Sequence, residues 1–144
     1  VTKPYPGFMT DWQSLWTVLI TQASGTSVIH EAIFENRFGF VSDLVKMGAK
    51  IELFNPKVKN PQKFYNFNWE DNKPEYLHAA RIFGPTSLKG AQFTILDIRA
   101  GATLIMAALV AKGKTQLRGI EHVDRGYENL DGRLRNLGAK IKRE

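Results

Sequence analysis

The sequence predicts an α/β fold built from two copies of one unit in which strands and helices alternate. The first observation is a repeated segment, because "KMGAKIE" (46–52) and "NLGAKIK" (136–142) share the run Gly-Ala-Lys-Ile. The second is that each copy carries an Asp at the start of its first helical segment and an Arg after its middle strand-like segment. An internal repeat marks the building unit of a fold. We therefore divide the chain into a first repeat (1–60), a long loop excursion (61–84) and a second repeat (85–144).

The first helix is predicted for "TDWQSLWTVLITQAS", where apolar residues recur at helical spacing. Thr10 and Gln13 have the spacing of a capping box, in which each side chain satisfies a free backbone N–H at the start of the helix. Trp12, Trp16 and Leu19 fall on one helical face, and we expect that face to be buried in the core.

The remaining elements follow the same order in both repeats. In the first repeat, "TSVIHEAIF" and "AKIELF" predict strands, and "FGFVSDLVKM" between them predicts a helix that ends at Gly48. In the second, we expect strand "AQFTIL", a helix from Asp97 to Lys112 ended by Gly113, strand "KTQLRGI", helix "YENLDGRLRN" ended by Gly138, and a final strand "AKIK".

The segment between the repeats is rich in Pro, Asn, Lys and aromatic residues and shows no clean period. One interpretation is a nucleic-acid-binding segment, because aromatic side chains interleaved with lysines can stack on single-stranded bases. We favour the other interpretation, an ordered surface loop that packs its own aromatic side chains, because long ordered loops commonly do so.

Composition limits the classes of function. The 144 residues are 43% hydrophobic, enough for one ordinary core, and the absence of cysteine excludes disulfides, zinc thiolate sites and a thiol nucleophile within this chain. A net charge of +6 favours anionic partners. No apolar run is long enough to span a membrane, and the first residues lack the apolar core of a signal peptide. We expect a cytoplasmic protein with no membrane partner, cut from a longer polypeptide.

Two aspartates are candidates for chemistry. Asp11 and Asp97 both fall in the first turn of a predicted helix, where free N–H groups and the helix dipole stabilise negative charge. Capping is the simpler interpretation and the one we favour for Asp97. Asp11 differs because Thr10 can already serve as the cap, which leaves the carboxylate free to accept a proton or a hydrogen bond.

Three arginines recur at the ends of elements: Arg37, Arg99 and Arg125. Guanidinium groups bind carboxylates and phosphates through paired hydrogen bonds, so arginines that converge from two repeats would clamp a small dianion. The alternative is that each forms an ion pair with an acidic residue near it in sequence, namely Glu35, Asp97 or Asp124.

The sequence offers no sign of a metal or cofactor site. His30, His78 and His122 lack the spacing of metal-ligand motifs, and we interpret them as ordinary strand or loop residues. No glycine-rich phosphate loop is present. We expect no metal and no cofactor.

Three segments in order resemble a known family: "PGFMTDWQSLWTVLITQASGTSVIHEAIFENRF", "GPTSLKGAQFTILDIRAGATLIMAALVAKGKTQL" and "IEHVDRGYENLDGRLRNLGAKIKR". Together they are similar to the C-terminal third of the UDP-N-acetylglucosamine 1-carboxyvinyltransferases, a branch of the enolpyruvyl transferases. Only about 55–84 lies outside the resemblance. The resemblance implies an inside-out α/β barrel that is made of βαβαββ units and has helices at its centre. This chain would supply two of those units. Ligands would bind between the two domains of the full enzyme.

The resemblance also implies a reaction. The enolpyruvyl group of phosphoenolpyruvate would move to the 3-hydroxyl of UDP-N-acetylglucosamine through a tetrahedral intermediate, with release of phosphate and without a metal or organic cofactor, as the committing step of peptidoglycan synthesis. The family's catalytic cysteine loop and an essential lysine belong to an N-terminal part of the polypeptide that is missing here. The fragment alone is therefore expected to be inactive and to associate with itself through the surface that the missing part would cover.

Site residues follow from the matching motifs. The resemblance implies that Asp11 of "MTD" holds the sugar hydroxyl as a candidate general base, and that Ile33 and Phe34 line the sugar-nucleotide pocket. Arginines around the phosphoenolpyruvate carboxylate and phosphate would be Arg37 of "ENRF", Arg99 of "DIRAG" and Arg125 of "DRGYE". Asp97 would lie beside them, near the carbon that gains a proton, so that the predicted catalytic residues are Asp11, Asp97 and Arg125. Met9 departs from the proline usual in the family.

Two other functions stay open. The sister enzyme of the shikimate pathway, 3-phosphoshikimate 1-carboxyvinyltransferase, shares the fold, but Phe34 suits a ligand that carries a base. A non-enzymatic RNA-binding module would fit the positive charge, but the basic residues of the helices are dispersed rather than striped on one face. We therefore expect no nucleic-acid partner.

Overall fold

The computed structural model describes residues 1–144, and its elements are a mixture of helices and strands, as an α/β fold requires. The first part of the chain contains α1 (Thr10–Gln22), β1 (Gly25–His30), α2 (Val41–Lys46), β2 (Lys50–Phe54), α3 (Pro61–Phe64), a 3-10 turn (Trp69–Asp71) and β3 (Ala79–Gly84). The second contains β4 (Gln92–Thr94), α4 (Ile98–Val110), β5 (Gln116–Arg118), α5 (Glu121–Asp124) and α6 (Leu130–Asn136). No helix is both long enough and apolar enough to cross a membrane.

The larger sheet has β3 at its centre, paired antiparallel with β1 on one side and with β2 on the other. The expectation of a loop over residues 61–84 is therefore wrong for Ala79–Gly84, which form β3. The division of the chain into two repeats stays a prediction. The segment "AARIFG" gave little strand signal because two small alanines lead it. In the sheet, Ala79, Ala80 and Ile82 are fully buried, and α1 packs against this strand. A smaller parallel sheet joins β4 and β5 in the predicted second repeat.

Helix α1 buries the opposite face from the one predicted. Trp12, Trp16 and Leu19 are about half exposed, at 51%, 49% and 55%, so the expectation that they form core is wrong. The buried side of α1 consists of small or polar residues and faces α4 and β3: Gln13, Ser14, Thr17, Val18 and Thr21. Small side chains allow close approach of the neighbouring elements, and the threonine hydroxyls are satisfied within the helix.

The predicted capping box is also wrong. Met9 is the N-cap residue of α1 and makes no side-chain cap, while the Thr10 hydroxyl donates to Glu31 Oε2 at 2.8 Å. Gln13 is buried, and its Nε2 has no hydrogen-bond partner within the chain. A tertiary contact has thus replaced the local cap. The expected cap of α4 is confirmed, because Asp97 Oδ1 accepts from the backbone N–H groups of Arg99 and Ala100, each at 2.9 Å.

The aromatic residues of the excursion pack on one another, as we favoured. Tyr65 is 6% exposed and stacks on Trp69, with ring centroids 4.9 Å apart and an interplanar angle of 16°. Phe67 and His78 pack against the same ring. His30, at the end of β1, completes the cluster with a 3.0 Å hydrogen bond between its Nε2 and the Tyr65 hydroxyl.

The last predicted strand does not form. The residues of "AKIK" lie outside any sheet, and Ile141 N–H donates only to the nearby carbonyl of Ala139. A strand needs a neighbouring strand to satisfy its backbone groups, and this chain places none beside the segment. Helix α6 ends close to Gly138, as predicted, where a positive φ of 94° suits glycine.

Candidate active site

The first feature of the site is the convergence of two arginines on Asp11. Asp11 lies in the first turn of α1 with its side chain 73% exposed. Its Oδ1 is 3.9 Å from Nη1 of Arg37, in the loop after β1, and 3.7 Å from Nε of Arg99, in the first turn of α4. The sequence alternative of local ion pairs is wrong for both arginines, because neither pairs with its sequence neighbour. A residue from each predicted repeat thus meets one carboxylate.

Arg37 is held as a buried cation without a full set of partners. Its side chain is 10% exposed, its guanidinium carbon lies 3.8 Å from the ring centroid of Phe34, and its Nη1 is buried with no hydrogen-bond partner. Burial lowers the pKa of Arg37, and repulsion from Arg99 lowers it further. The opposing attraction comes from three carboxylates: Glu31, Asp11 and Glu35. Such a group favours an anionic ligand that brings acceptors to the free N–H.

The segment that carries Ile33 and Phe34 leaves the sheet earlier than predicted. Strand β1 ends at His30 rather than at Phe34, because the Glu31 side chain accepts the backbone N–H groups of Ile33 and Phe34 at 2.8 and 3.2 Å. This turn leaves the Phe34 side chain 41% exposed beside Arg37. The exposed part of the ring is available to a ligand.

Asp97 acts as a helix cap and thereby fixes the first turn of α4, which carries Arg99. Capping uses Oδ1 alone. A catalytic role for Asp97 stays a prediction.

Arg125 is not joined to the other arginines. It is exposed at the end of α5 and forms no ion pair with Asp11 or with its neighbour Asp124. Asp124 is instead bound by Arg143 through two contacts of 2.6 and 2.9 Å, which lower the pKa of that carboxyl. The predicted catalytic and substrate-binding role of Arg125 stays a prediction.

Sequence reasoning missed Glu31. This residue is 1% exposed and its carboxylate lies at the base of the segment that leads to Arg37. The available signal was an acid within the otherwise apolar run "VIHEAIF". A buried carboxylate is rare unless it is paired or hydrogen-bonded.

A cavity of about 880 Å³ lies elsewhere, between the end of α4, β5 and residues 140–144. None of the predicted site residues lines it. Its Arg143 is already paired with Asp124 and Asp131, so no free buried charge points into it. No group of three or more His, Asp or Glu side chains is arranged to hold a metal ion.

Comparison with known proteins reveals similar sequences over nearly the whole chain. The family description "EPSP synthase (3-phosphoshikimate 1-carboxyvinyltransferase)" matches residues 1–134. The UDP-N-acetylglucosamine 1-carboxyvinyltransferase of Protochlamydia amoebophila (strain UWE25) is 44% identical over 140 residues, which are 97% of this chain and 29% of that protein. The protein of the same name from Halothermothrix orenii is 44% identical over 142 residues, 99% of this chain and 29% of its own length. The chain thus spans less than a third of these relatives.

Solved structures confirm the fold class. The enolpyruvyl transferase NikO from Streptomyces tendae matches 99% of this chain and 28% of its own, with a TM-score of 0.75 and 30% identity. EPSP synthase from Acinetobacter baumannii matches 94% of this chain and 27% of its own, with a TM-score of 0.61 and 19% identity, which shows the fold alone. The expected inside-out α/β barrel is therefore confirmed. By sequence and by fold, the chain belongs to the EPSP synthase family of enolpyruvyl transferases.

Proposed function

We propose that this chain is part of an enzyme that transfers the enolpyruvyl group of phosphoenolpyruvate to the 3-hydroxyl of UDP-N-acetylglucosamine. The observation that carries the proposal is the convergence of Arg37 and Arg99 on Asp11, with a buried and unpartnered Nη1 on Arg37. Curated relatives with 44% identity over almost all of this chain bear the name of that activity. The rest of the polypeptide would supply the other wall of the site, and the product would enter peptidoglycan synthesis in the cytoplasm, and so cell-wall growth, shape and division.

Asp11 is the base in this proposal. Its exposed carboxylate takes the proton of the sugar 3-hydroxyl as the oxygen forms a bond to C2 of phosphoenolpyruvate, while C3 gains a proton from a general acid of the assembled site. Loss of a proton from C3 and of inorganic phosphate from C2 of the tetrahedral intermediate then gives the enolpyruvyl ether. Asp97 and Arg125 are the further groups that we place near the reacting carbons and the departing phosphate.

The arginines bind the dianion. Two cations converge on the exposed carboxylate of Asp11, and the repulsion between Arg37 and Arg99 is relieved when a phosphate or carboxylate lies between them. Such charge stabilisation is the main contribution that a cofactor-free site can make to the displacement of phosphate.

The nucleotide would lie against Ile33 and Phe34. Phe34 is 41% exposed and its ring rests on the Arg37 guanidinium, which suits an apolar or stacking contact with a base-bearing ligand. A shikimate phosphate offers no base to this ring. That difference is our reason to place the chain in the sugar-nucleotide branch, although the family description that matches it names the shikimate enzyme.

RNA binding is less well supported. Tyr65 is almost fully buried, and Trp69 and Phe67 stack within the same cluster, so the aromatic faces that would stack on bases are largely occupied.

The test is an NMR titration of this chain with UDP-N-acetylglucosamine and, separately, with 3-phosphoshikimate. We expect UDP-N-acetylglucosamine to shift the amide signals of Asp11, Phe34 and Arg37, whereas 3-phosphoshikimate leaves Phe34 unchanged. A shift of Phe34 by 3-phosphoshikimate alone would favour the sister activity. Shifts of the aromatic cluster by a short single-stranded RNA would favour the binding module.

A further inference from the structure

The Glu31 carboxylate connects parts of the chain that are far apart in sequence. Its Oε1 accepts the Thr2 hydroxyl at 3.0 Å and the backbone N–H groups of Ile33 and Phe34 at 2.8 and 3.2 Å. Its Oε2 accepts the Thr10 hydroxyl at 2.8 Å. One buried carboxylate thus has four donors from three segments.

These donors lie beside the proposed ligand-binding groups. Thr10 immediately precedes Asp11, and its hydroxyl contacts Glu31 instead of capping α1, which fixes the first turn of that helix relative to the end of β1. Phe34 bears the ring on which Arg37 rests. Glu31 therefore sets the position of Asp11 through one oxygen and that of the segment with Ile33 and Phe34 through the other.

The same carboxylate also acts on Arg37 by charge. Glu31 is the first of the carboxylates that favour the Arg37 cation, ahead of Asp11 and Glu35. Unlike Asp11, Glu31 is 1% exposed, so it is out of reach of a ligand and cannot itself be the base. Its four donors satisfy it fully, and hydrogen bonds to a charged acceptor are stronger than those between neutral groups.

We propose that Glu31 is a positioning residue of this site, which holds the base Asp11 and the nucleotide-facing Phe34 in a fixed relation to each other. The inference rests on the proposed function for the identity of the ligand, but the geometric link between the two segments stands independently of it. A single carboxylate, directly after β1, thereby positions both Asp11 at the sugar-hydroxyl end of the site and Phe34 at its nucleotide end.

The experiment compares Thr10→Val with Thr17→Val in this chain. Each variant removes one threonine hydroxyl from α1 that makes a 2.8 Å hydrogen bond, but the Thr17 hydroxyl donates to the carbonyl of Gln13 and has no contact with Glu31. We expect Thr10→Val to weaken UDP-N-acetylglucosamine binding about tenfold, because one bond to a charged group is lost. Thr17→Val is expected to leave affinity within about twofold, even where both variants lose equal stability.

The amide signals give a second measurement that needs no ligand. In Thr10→Val, we expect the signals of Ile33 and Phe34 to shift although they lie far along the chain, because Glu31 carries the change. In Glu31→Gln, we expect hydrogen exchange of these two amides to speed up about tenfold as their charged acceptor is lost.

The outcomes separate the two claims. Equal loss of affinity in Thr10→Val and Thr17→Val, or no loss in either, would overturn the positioning role. If the unaltered chain binds no UDP-N-acetylglucosamine, the proposed function fails for this chain. The amide signals then test whether Glu31 links the first turn of α1 to the segment with Ile33 and Phe34. Shifts at Ile33 and Phe34 in Thr10→Val then support the link, and shifts confined to the neighbours of Thr10 overturn it.

Discussion

At the scale of single residues, Glu31 and His30 show how polar groups near the site are buried beside specific partners. Glu31 has four donors, and His30 pairs with the Tyr65 hydroxyl and stacks on Phe64 with ring centroids 4.9 Å apart. Arg37 differs from these two neighbours, because its buried Nη1 has no acceptor within the chain. Three other residues, Gln13, His78 and Thr115, also have one buried polar atom without a partner. Unsatisfied buried groups in a folded protein point to a function or an absent ligand. The contrast between Arg37 and its satisfied neighbours is why we place the ligand there.

His30 makes the stability of the fold depend on pH. Burial lowers the pKa of His30 to about 4, and the positive charges of the N-terminal amino group and of His78 add to the shift. In the unfolded chain the pKa is about 6.5, so the unfolded state binds more protons between these values and stability falls as the pH drops below about 6.5. From pH 7 to pH 5 we expect a loss of about 2 kcal/mol in the free energy of unfolding.

Urea denaturation at the two pH values measures this loss. His30→Gln should reduce the dependence, with a remainder from His78, whose pKa burial also lowers. A wild-type chain equally stable at pH 7 and pH 5 would contradict the assignment.

At the scale of elements, close packing of α1 on β3 determines which residues are tolerated. A Cβ added at Gly84, the last residue of β3, would lie 2.1 Å from the carbonyl oxygen of Ala23 and 2.7 Å from that of Ile20. Both obstacles are backbone atoms at the end of α1, which cannot rotate aside. Only glycine at this position therefore allows the end of α1 to pack this closely on β3.

Gly84→Ala should lower the free energy of unfolding by about 1–3 kcal/mol, as overpacking commonly does. Gly39→Ala is the matched control, since an added Cβ there meets nothing within 4 Å. Denaturation midpoints of the two variants provide the measurement. Equal stability of both would show that α1 and β3 can separate without cost.

The elements also show what the sequence could predict. Helix α4 and its Asp97 cap were predictable because helical spacing and capping are local properties. The buried face of α1 was not, because Trp12 and Trp16 mark a strongly apolar side whereas tertiary packing selects the side that carries Thr17 and Thr21. The strand β3 was missed for a similar reason, since its place between two neighbours is visible only in the assembled sheet.

At the scale of the whole molecule, the site depends on contact between distant helices. The packing of α1 against α4 brings the first turns of both helices together, so that Arg99 of the predicted second repeat reaches Asp11 of the predicted first repeat. The motifs supplied Asp11, Arg37 and Arg99, and the resemblance implied that they share one site, but no local signal revealed the role of Glu31. Self-association through the surface that the missing part of the polypeptide would cover stays a prediction.

The central claim is that Arg37 and Arg99 form an anion site across the two repeats, and Arg81 offers a matched control. Arg81 lies 4.9 Å from the ring centroid of Phe54 and 3.3 Å from Glu52, so it also combines an aromatic ring with a carboxylate, but in the sheet and away from Asp11. We expect Arg37→Gln to weaken phosphoenolpyruvate binding about 10- to 100-fold, because charge-assisted bonds are lost.

The most direct measurement is a ³¹P NMR titration of phosphoenolpyruvate with the unaltered chain, Arg37→Gln, Arg99→Gln and Arg81→Gln. The account predicts that both site variants lose affinity while Arg81→Gln binds as the unaltered chain does. Equal loss in all three variants, or none in Arg37→Gln, would contradict it and reduce the convergence on Asp11 to a structural ion pair.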